Sequence, residues 1–362
     1  MRFKYIIVGA GLAGSVFAER IANKLDEDVL IVDKRNHIGG NVYDEYDEYG
    51  ILIHKYGPHI FHTKFKEVWD YLSKFTEWRL YQHRVLAYVD GMKVPMPINL
   101  DTINMLFGTN YTSENLNGFF ESVREEIDFP KNAKESVTSK VGQLLYEKFF
   151  KNYTIKQWNT DPENLDPAIT ARIPIRTNRD PRYFSDRYQG MPLKGYTNMV
   201  SNILSSEKIH LLLNTDFFQI KDMLDYDHLI YTGPLDKLYD YKFGKLPYRS
   251  LRFEFETIET DFFQEVGTVN YPNDYDFTRI TEFKHLTGQQ SNKTTIMKEF
   301  PASEGEPYYP ILNEANISIA KKYMEQAKKD NVILSGRLAT YSYLNMDLVV
   351  KQSLELFDKY FL

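Results

Sequence analysis

The residues with the clearest chemistry are Gly9-Ala10-Gly11-Leu12-Ala13-Gly14, a GxGxxG turn. Glycines so placed permit a tight turn, close approach of a pyrophosphate and close packing of the next helix. Asp33 lies about twenty residues further on, where a carboxylate can meet the ribose hydroxyls of an adenosine. Near the other end, Gly336 allows a turn and Arg337 can meet a phosphate. A third group occupies the middle of the chain. Phe149, Phe150, Tyr153 and Trp158 precede Arg172, Arg176, Arg179, Arg182 and Arg187, with only Asp180 and Asp186 between these arginines. Arginines on a Pro- and Gly-punctuated loop beside stackable rings suit a nucleotide diphosphate. The plainer readings stand beside this one: an aromatic stripe at helical spacing can be core, and a charge run can be a solvated face. Arg279 beside Glu282, and Tyr308 and Tyr309 in a Pro-bounded segment, complete the set.

These residues need elements to position them. Residues 5–8 and 29–32 are short apolar runs fit for buried parallel strands, with a helix between them from Ser15 to Leu25. Residues 228–231 form a further strand before Thr232-Gly233-Pro234, and residues 332–334 another. A helix runs from about Asn345, with Met346, Val349, Val350, Leu354 and Phe357 on one face. Its N-terminus can point donors at a cofactor. The cofactor domain is therefore discontinuous and built from both ends of the chain. In the middle, a helix begins near Ser113, residues 250–258 alternate as a half-buried strand, and residues 277–285 alternate likewise.

Composition removes several classes of function. The 362 residues carry a formal net charge of −6 and no polybasic tract, which argues against a nucleic-acid binder. There is no cysteine, so disulfides, thiolate nucleophiles, cysteine-based metal sites and a cysteinyl-flavin bond are excluded. A cytoplasmic location fits that usage, and no metal is expected. The apolar patch at residues 5–8 is too short for a signal sequence, and no apolar run reaches membrane-spanning length.

The run Lys34-Arg35-Asn36-His37-Ile38-Gly39-Gly40-Asn41 resembles the second phosphate and ribityl contact of FAD proteins of the amine-oxidase-like group. No second GxGxxG for NADPH and no CxxC follows, which raises the question of a flavin used without a second electron partner. GAGLAG, HIGGN, KYGPHIFHT, FFKNYTIKQW, RDPRYFSDRYQGMP, YTGPLD, FTRITEFKH, EPYYPI and GRLATYSYLNMD occur in that order. The order resembles that of the UDP-galactopyranose mutases across nearly the whole chain.

That resemblance implies a flavin-dependent isomerase that interconverts UDP-galactopyranose and UDP-galactofuranose without net redox change. Reduced flavin N5 would attack the anomeric carbon, and UDP would be expelled and later recaptured. It implies non-covalent FAD lined by Gly9, Gly11, Leu12, Gly14, Asp33, Lys34, Gly40, Asn41, His59, Ile60, Arg337, Met346, Asp347, Leu348 and Val349. Phe149, Phe150, Tyr153, Thr154 and Trp158 would form the uridine side. Arg172 and Arg279 would grip the diphosphate, Tyr183, Tyr309 and Tyr343 would offer phenol donors, and Asn270 would add a contact. Arg172, Arg279 and His59 are the candidates for direct action on the reaction, none of them a dedicated acid or base. His62 is left open between a site and a core role. A homodimer and an external reductant are further implications, as is supply of galactofuranose to cell-surface glycans.

The fold expected is α/β: a discontinuous Rossmann-like FAD domain with a helical insertion and an antiparallel β-sheet domain. Residues 1–66 and 316–362 would form the FAD domain, with a strand and turn from 226–245. Residues 67–165 would be mostly helical, 166–225 an Arg-rich mobile loop with a sheet segment, and 246–315 the substrate-side sheet. Two other enzyme readings remain: an amine-oxidase-like flavin oxidoreductase, and a mutase that also takes UDP-N-acetylgalactosamine. A flavin-carrying binding protein without turnover is the reading from a different class. The chain departs from the family pattern at Ser342 and Asn345, where an arginine and an acid are usual. Asn345 reads foremost as a helix N-cap worth about 0.5–2 kcal/mol.

Overall fold

Tyr5–Val8 and Val29–Val32 are apolar on both faces, and such strands belong in the middle of a parallel sheet covered on both sides. The computed structural model of the chain, which describes residues 2–171 and 173–362, has them there. Five parallel strands run in the order Ile209–Leu212, Val29–Val32, Tyr5–Val8, His228–Tyr231, Val332–Leu334. Neighbours in space thus come from distant parts of the chain, as the discontinuous cofactor domain requires. Helix Leu12–Arg20 packs against helix Met346–Phe361, which brings the two ends of the chain together.

The chain divides into two compact units. The first comprises Met1–Tyr81, Asp186–Tyr248 and Pro307–Leu362 and contains the parallel sheet. It also holds a small antiparallel sheet in which Tyr188–Pro192 lies between Phe61–Thr63 and Trp78–Leu80.

The second unit comprises Gln82–Ser185 and Arg249–Glu306. Its sheet runs in the order Tyr248–Ile258, Thr294–Ala302, Arg279–Glu282, Thr268–Asn270, Val85–Val89, Met92–Met96. Pairing is antiparallel throughout this series except between Thr268–Asn270 and Val85–Ala87, which run parallel. Helices Leu100–Phe107, Leu116–Val123 and Ala133–Tyr146 share one core with this sheet, through Val89, Val94, Ile103, Leu116, Phe120, Val137, Val141, Phe149 and Phe150.

Two local expectations need revision. Residues 277–285 do not stay extended: the strand ends at Glu282 and Phe283–Thr287 is helical. Glu282 is fully buried and accepts from the backbone N–H of Phe263 and Gln264 and from Thr294 Oγ1, which fixes the turn in direction. Phe283 and Leu286 then enter the core at helical spacing. Asn345 does hold the N-cap position of Met346–Phe361, but its side chain makes no capping hydrogen bond. Within that first turn, Asp347 Oδ1 accepts from Leu348 N. Asn313, by contrast, caps Glu314–Lys329 by accepting from Asn316 N. Asn345→Ala should therefore change stability by less than about 0.5 kcal/mol, whereas Asn313→Ala should cost about 1 kcal/mol. Urea unfolding of the two variants checks the contrast.

Candidate functional site

The first unit carries a backbone cradle. At Gly9, where φ is +110°, a Cβ would fall 2.0 Å from Thr232 Oγ1, and at Gly14 it would fall 1.9 Å from Gly9 O. Gly39 N donates to Ala10 O at 2.8 Å, and Gly11 and Gly39 form a parallel bridge. A Cβ on Gly40 would lie 2.9 Å from Gly11 Cα, so the two glycine segments lie backbone against backbone. Helix Leu12–Arg20 starts at Gly11 with no side-chain cap, which leaves its first N–H groups for an anion.

Asp33 closes this cradle. Its carboxylate accepts from Ala10 N at 2.7 Å and from Arg35 N at 2.8 Å, tying the strand end to the glycine turn. A carboxylate has about four lone-pair sites, so hydroxyls can still be accepted. Arg35 donates to Asn41 Oδ1 at 3.0 Å and lies over the Tyr56 ring at 4.2 Å. Leu12 is buried, Ile60 half-buried and Lys34 exposed. Met346, Asp347, Leu348 and Val349 form the first turn of the last helix, which also has no side chain capping it from the N-cap position.

His59 shares a pocket of rings with His54 and Tyr196. Its backbone N–H donates to His54 Nδ1 at 3.0 Å, so that nitrogen of His54 carries no proton. His59 Nδ1 lies 2.8 Å from Gly57 O and must be the protonated nitrogen, leaving Nε2 as an acceptor. Burial pushes both imidazoles down to about 3, so His59 is neutral at working pH and offers a lone pair rather than a proton. His62 Nδ1 meets Asp186 Oδ2 at 2.6 Å, which joins the strand Phe61–Thr63 to the end of the Arg-rich segment.

Arg337 is engaged by the protein. Its guanidinium donates twice to Leu344 O, at 3.0 and 2.6 Å, and to Tyr308 O at 3.2 Å. It also lies 5.0 and 5.3 Å from the rings of Tyr309 and Tyr343, which stack on each other at 5.6 Å. Arg337 thus gathers two expected substrate residues, in addition to any contact with a phosphate.

The second unit holds the remaining residues. Phe149 and Phe150 are core residues, at 3% and 4% exposure, and Thr154 and Trp158 further along the chain are also buried. Tyr153 is half-buried. Asn270 and Arg279 are directly opposed across an antiparallel pair, which places their side chains on one face. Glu299, 2% exposed, stands 3.2 Å from Arg279 Nη2 and orients it. Tyr183 N donates to His83 O at 2.7 Å, and the ring packs on the core of this unit.

Arg172 lies outside the described residues. Most of the arginines that follow have protein partners: Arg176 donates to Asp180 O and Arg182 O, Arg179 pairs with Asp101, and Arg182 pairs with Asp180. Arg187 lies over the Tyr188 ring at 5.6 Å.

Sequence reasoning missed Arg249 and Lys156. Arg249 is 4% exposed and donates to Gln157 O and Lys156 O at the end of the aromatic helix, and to Ser303 Oγ. Lys156 donates to three main-chain carbonyls of residues 271–277. Both spend most of their donors on carbonyls, which every residue has, so no side-chain pattern announces them.

Comparison with known proteins gives consistent results. The family described as UDP-galactopyranose mutase matches residues 148–343, and the family described as NAD(P)-binding Rossmann-like domain matches residues 7–75. A protein of Klebsiella pneumoniae named probable UDP-galactopyranose mutase is 39% identical, over 98% of this chain and 94% of its own. The dTDP-fucopyranose mutase of Escherichia coli is 36% identical, over 97% of each. A crystal structure of reduced UDP-galactopyranose mutase superposes with a TM-score of 0.80 at 18% identity, over 99% of this chain and 93% of that one, and bears on the fold alone.

The two neutral histidines make a pH prediction. Each has a folded-state pKa of about 3, below the ordinary 6.5, so the unfolded chain binds more protons between those values. Stability must then fall as pH drops from 6.5 toward 3, by about 1 kcal/mol per histidine between about pH 6 and pH 5. His54→Asn keeps an acceptor for His59 N and removes one titration. The variant should lose stability less steeply over that interval, as measured by urea unfolding at each pH.

Proposed function

The chain belongs to the UDP-galactopyranose mutase family, and we propose that it interconverts UDP-galactopyranose and UDP-galactofuranose as a flavin-dependent isomerase. The observation that carries this reading is the Asn270–Arg279 cross-strand pair, backed by buried Glu299 in the same unit as the Phe149–Trp158 aromatic segment. Rings for a base and a guanidinium for a phosphate are what a nucleoside diphosphate needs.

The cradle fits FAD held without a covalent bond. Its close glycine backbones admit a pyrophosphate, Asp33 can take ribose hydroxyls, and the uncapped first turn of Leu12–Arg20 offers N–H groups. Gly9, Gly11, Leu12, Gly14, Asp33, Lys34, Gly40, Asn41, His59, Ile60, Arg337 and Met346 to Val349 would line it. When bound and reduced, the flavin supplies the nucleophile that takes the place of UDP on the anomeric carbon.

The protein's own work is positioning. Tyr153, Thr154 and Trp158 hold the uridine, and Phe149 and Phe150 fix that helix from the core. Arg279 with Arg172 draws charge from the departing diphosphate, and Tyr183, Tyr309 and Tyr343 add phenol donors. His59, neutral and with an open Nε2, can accept a hydrogen bond near the flavin but cannot act as an acid. An external reductant keeps the cofactor active. The protein works as a cytoplasmic homodimer that supplies galactofuranose for surface glycans. Among the described residues no helix is long and apolar enough to cross a membrane.

A second substrate has a specific basis, because one relative 36% identical to this chain is named dTDP-fucopyranose mutase. Product analysis with UDP-galactopyranose and dTDP-fucopyranose, with and without dithionite, tests both. Furanose product should form from the UDP sugar, and only with reduced enzyme. Equal rates with oxidised enzyme, or an oxidised sugar, would sink the mechanism. Exclusive turnover of the dTDP sugar would replace the substrate.

Arg279→Ala should lower kcat/KM about ten- to over a hundredfold, the loss of a charge-assisted contact of about 1.5–3 kcal/mol. The same change strands the Glu299 carboxylate, so the melting temperature should fall too. Adding Glu299→Gln should restore melting but not turnover, as thermal unfolding and initial rates would show.

A further inference from the structure

Lys156 lies on the helix Asn152–Trp158, among the residues of the uridine side, yet its ammonium is directed to main chain. Nζ donates to Tyr271 O at 2.6 Å, Tyr275 O at 2.8 Å and Phe277 O at 3.3 Å. An ammonium has three donors, and here each has a carbonyl. Residues 271–277 are the turn that joins the strand ending at Asn270 to the strand beginning at Arg279. A second strap runs alongside: Asn152 Nδ2 donates to Asn273 Oδ1 at 3.0 Å, and Asn273 Nδ2 donates to Lys148 O at 2.9 Å. Positions 148, 152 and 156 recur every four residues and form one stripe of the helical segment.

We infer that Lys156 is a positioning residue that couples the two halves of nucleotide recognition, by holding the Asn270–Arg279 turn at a fixed separation from the aromatic helix. The inference rests on the nucleotide-sugar reading given above. A ligand that spans both halves needs the separation to be right, whereas a ligand that uses only the base side does not. Lys156 therefore acts on UDP and leaves uridine alone.

Titration supports the geometry. Burial lowers the Lys156 pKa to about 8 against the opposing pull of Asp274 and Asp276. The other charged or titratable groups around it include Tyr271, Tyr275, Arg249, which donates to Lys156 O, and, along the same stripe, Lys148, which is paired with Asp90. The protonated form holds the turn, so UDP affinity should fall as pH rises through about 8.

The test is calorimetric binding of UDP and of uridine to the oxidised holoenzyme and to Lys156→Met, which keeps the stem and removes the charge. The variant should bind UDP about five- to fiftyfold more weakly and uridine within about twofold of wild type. Its UDP affinity should also lose the decline above about pH 8. Asn273→Ala, which cuts only the second strap, should shift UDP in the same direction by less, and covers the case in which Lys156→Met does not fold. Equal losses for UDP and uridine would make Lys156 part of the base pocket alone and overturn the coupling. So would unchanged UDP binding in Lys156→Met, or in Asn273→Ala if only that variant folds. A wild-type protein that binds neither ligand would overturn the nucleotide reading, and this inference with it.

Discussion

Cations that spend their donors on main-chain carbonyls hold the loops on which the site depends. Arg337 takes Leu344 O and Tyr308 O; Arg249 takes Gln157 O and Lys156 O; Lys156 takes Tyr271 O, Tyr275 O and Phe277 O. Lys284 does the same for Asp261 O, Ser291 O and Lys293 O, and Arg176 for Asp180 O and Arg182 O. Carbonyls in turns and at helix ends lack partners within their own element, and leaving them buried and unmet costs about 1–3 kcal/mol each. A long cationic side chain meets two or three at once. The loops are thereby held in place without regular secondary structure, and their rings and amides remain available to a ligand.

The same device explains which parts of the molecule were legible in the sequence. The glycine turn was readable because its constraint is local: Gly9 at positive φ and the backbone contact at Gly40 admit no side chain, and Asp33 follows at the end of a strand. The apolar runs at 5–8 and 29–32 likewise declare a strand covered on both faces. The arginines were harder. A guanidinium bound to a carbonyl and one awaiting a phosphate look alike in sequence, and Arg176, Arg179 and Arg182 belong to proteinaceous partners. Arg249 and Lys156 escaped notice for the same reason. Phe149 and Phe150 show the converse. Their spacing allowed either core or base contact, and their low exposure makes them the core that carries Tyr153.

Electrostatics follow a division of labour between the two units. In the first, His54 and His59 are neutral through burial, and Asp33 is bonded to backbone N–H groups. In the second, charge is retained and aimed, with Glu299 behind Arg279 and no exposure of that carboxylate to water beyond 2%. A buried partner of this kind weakens the net attraction for a phosphate but fixes the guanidinium in direction. In the proposed reaction UDP would leave and return, and there a directed and moderate grip would serve better than the tightest one, since uniform binding does not speed the chemical step.

Family membership settles the kind of reaction more firmly than the nucleotide sugar. UDP-galactose and dTDP-fucose share a pyrimidine imide edge, a diphosphate and the galacto arrangement of the ring hydroxyls. They differ in a base methyl, a ribose hydroxyl and the hydroxyl on the sugar's sixth carbon. The proposed contacts, rings for the base and Arg279 for the diphosphate, would address only what the two have in common. Choosing between them falls to a few contacts. An added methyl in an apolar pocket is worth only about 1–3 kcal/mol, whereas a site built to bond a hydroxyl rejects an analogue lacking it by about four to five orders of magnitude. Discrimination against dTDP-fucose, if strong, must therefore come from polar side chains at the sugar's sixth carbon or the ribose 2′-hydroxyl, and the coupling of base to diphosphate through Lys156 is the same for both.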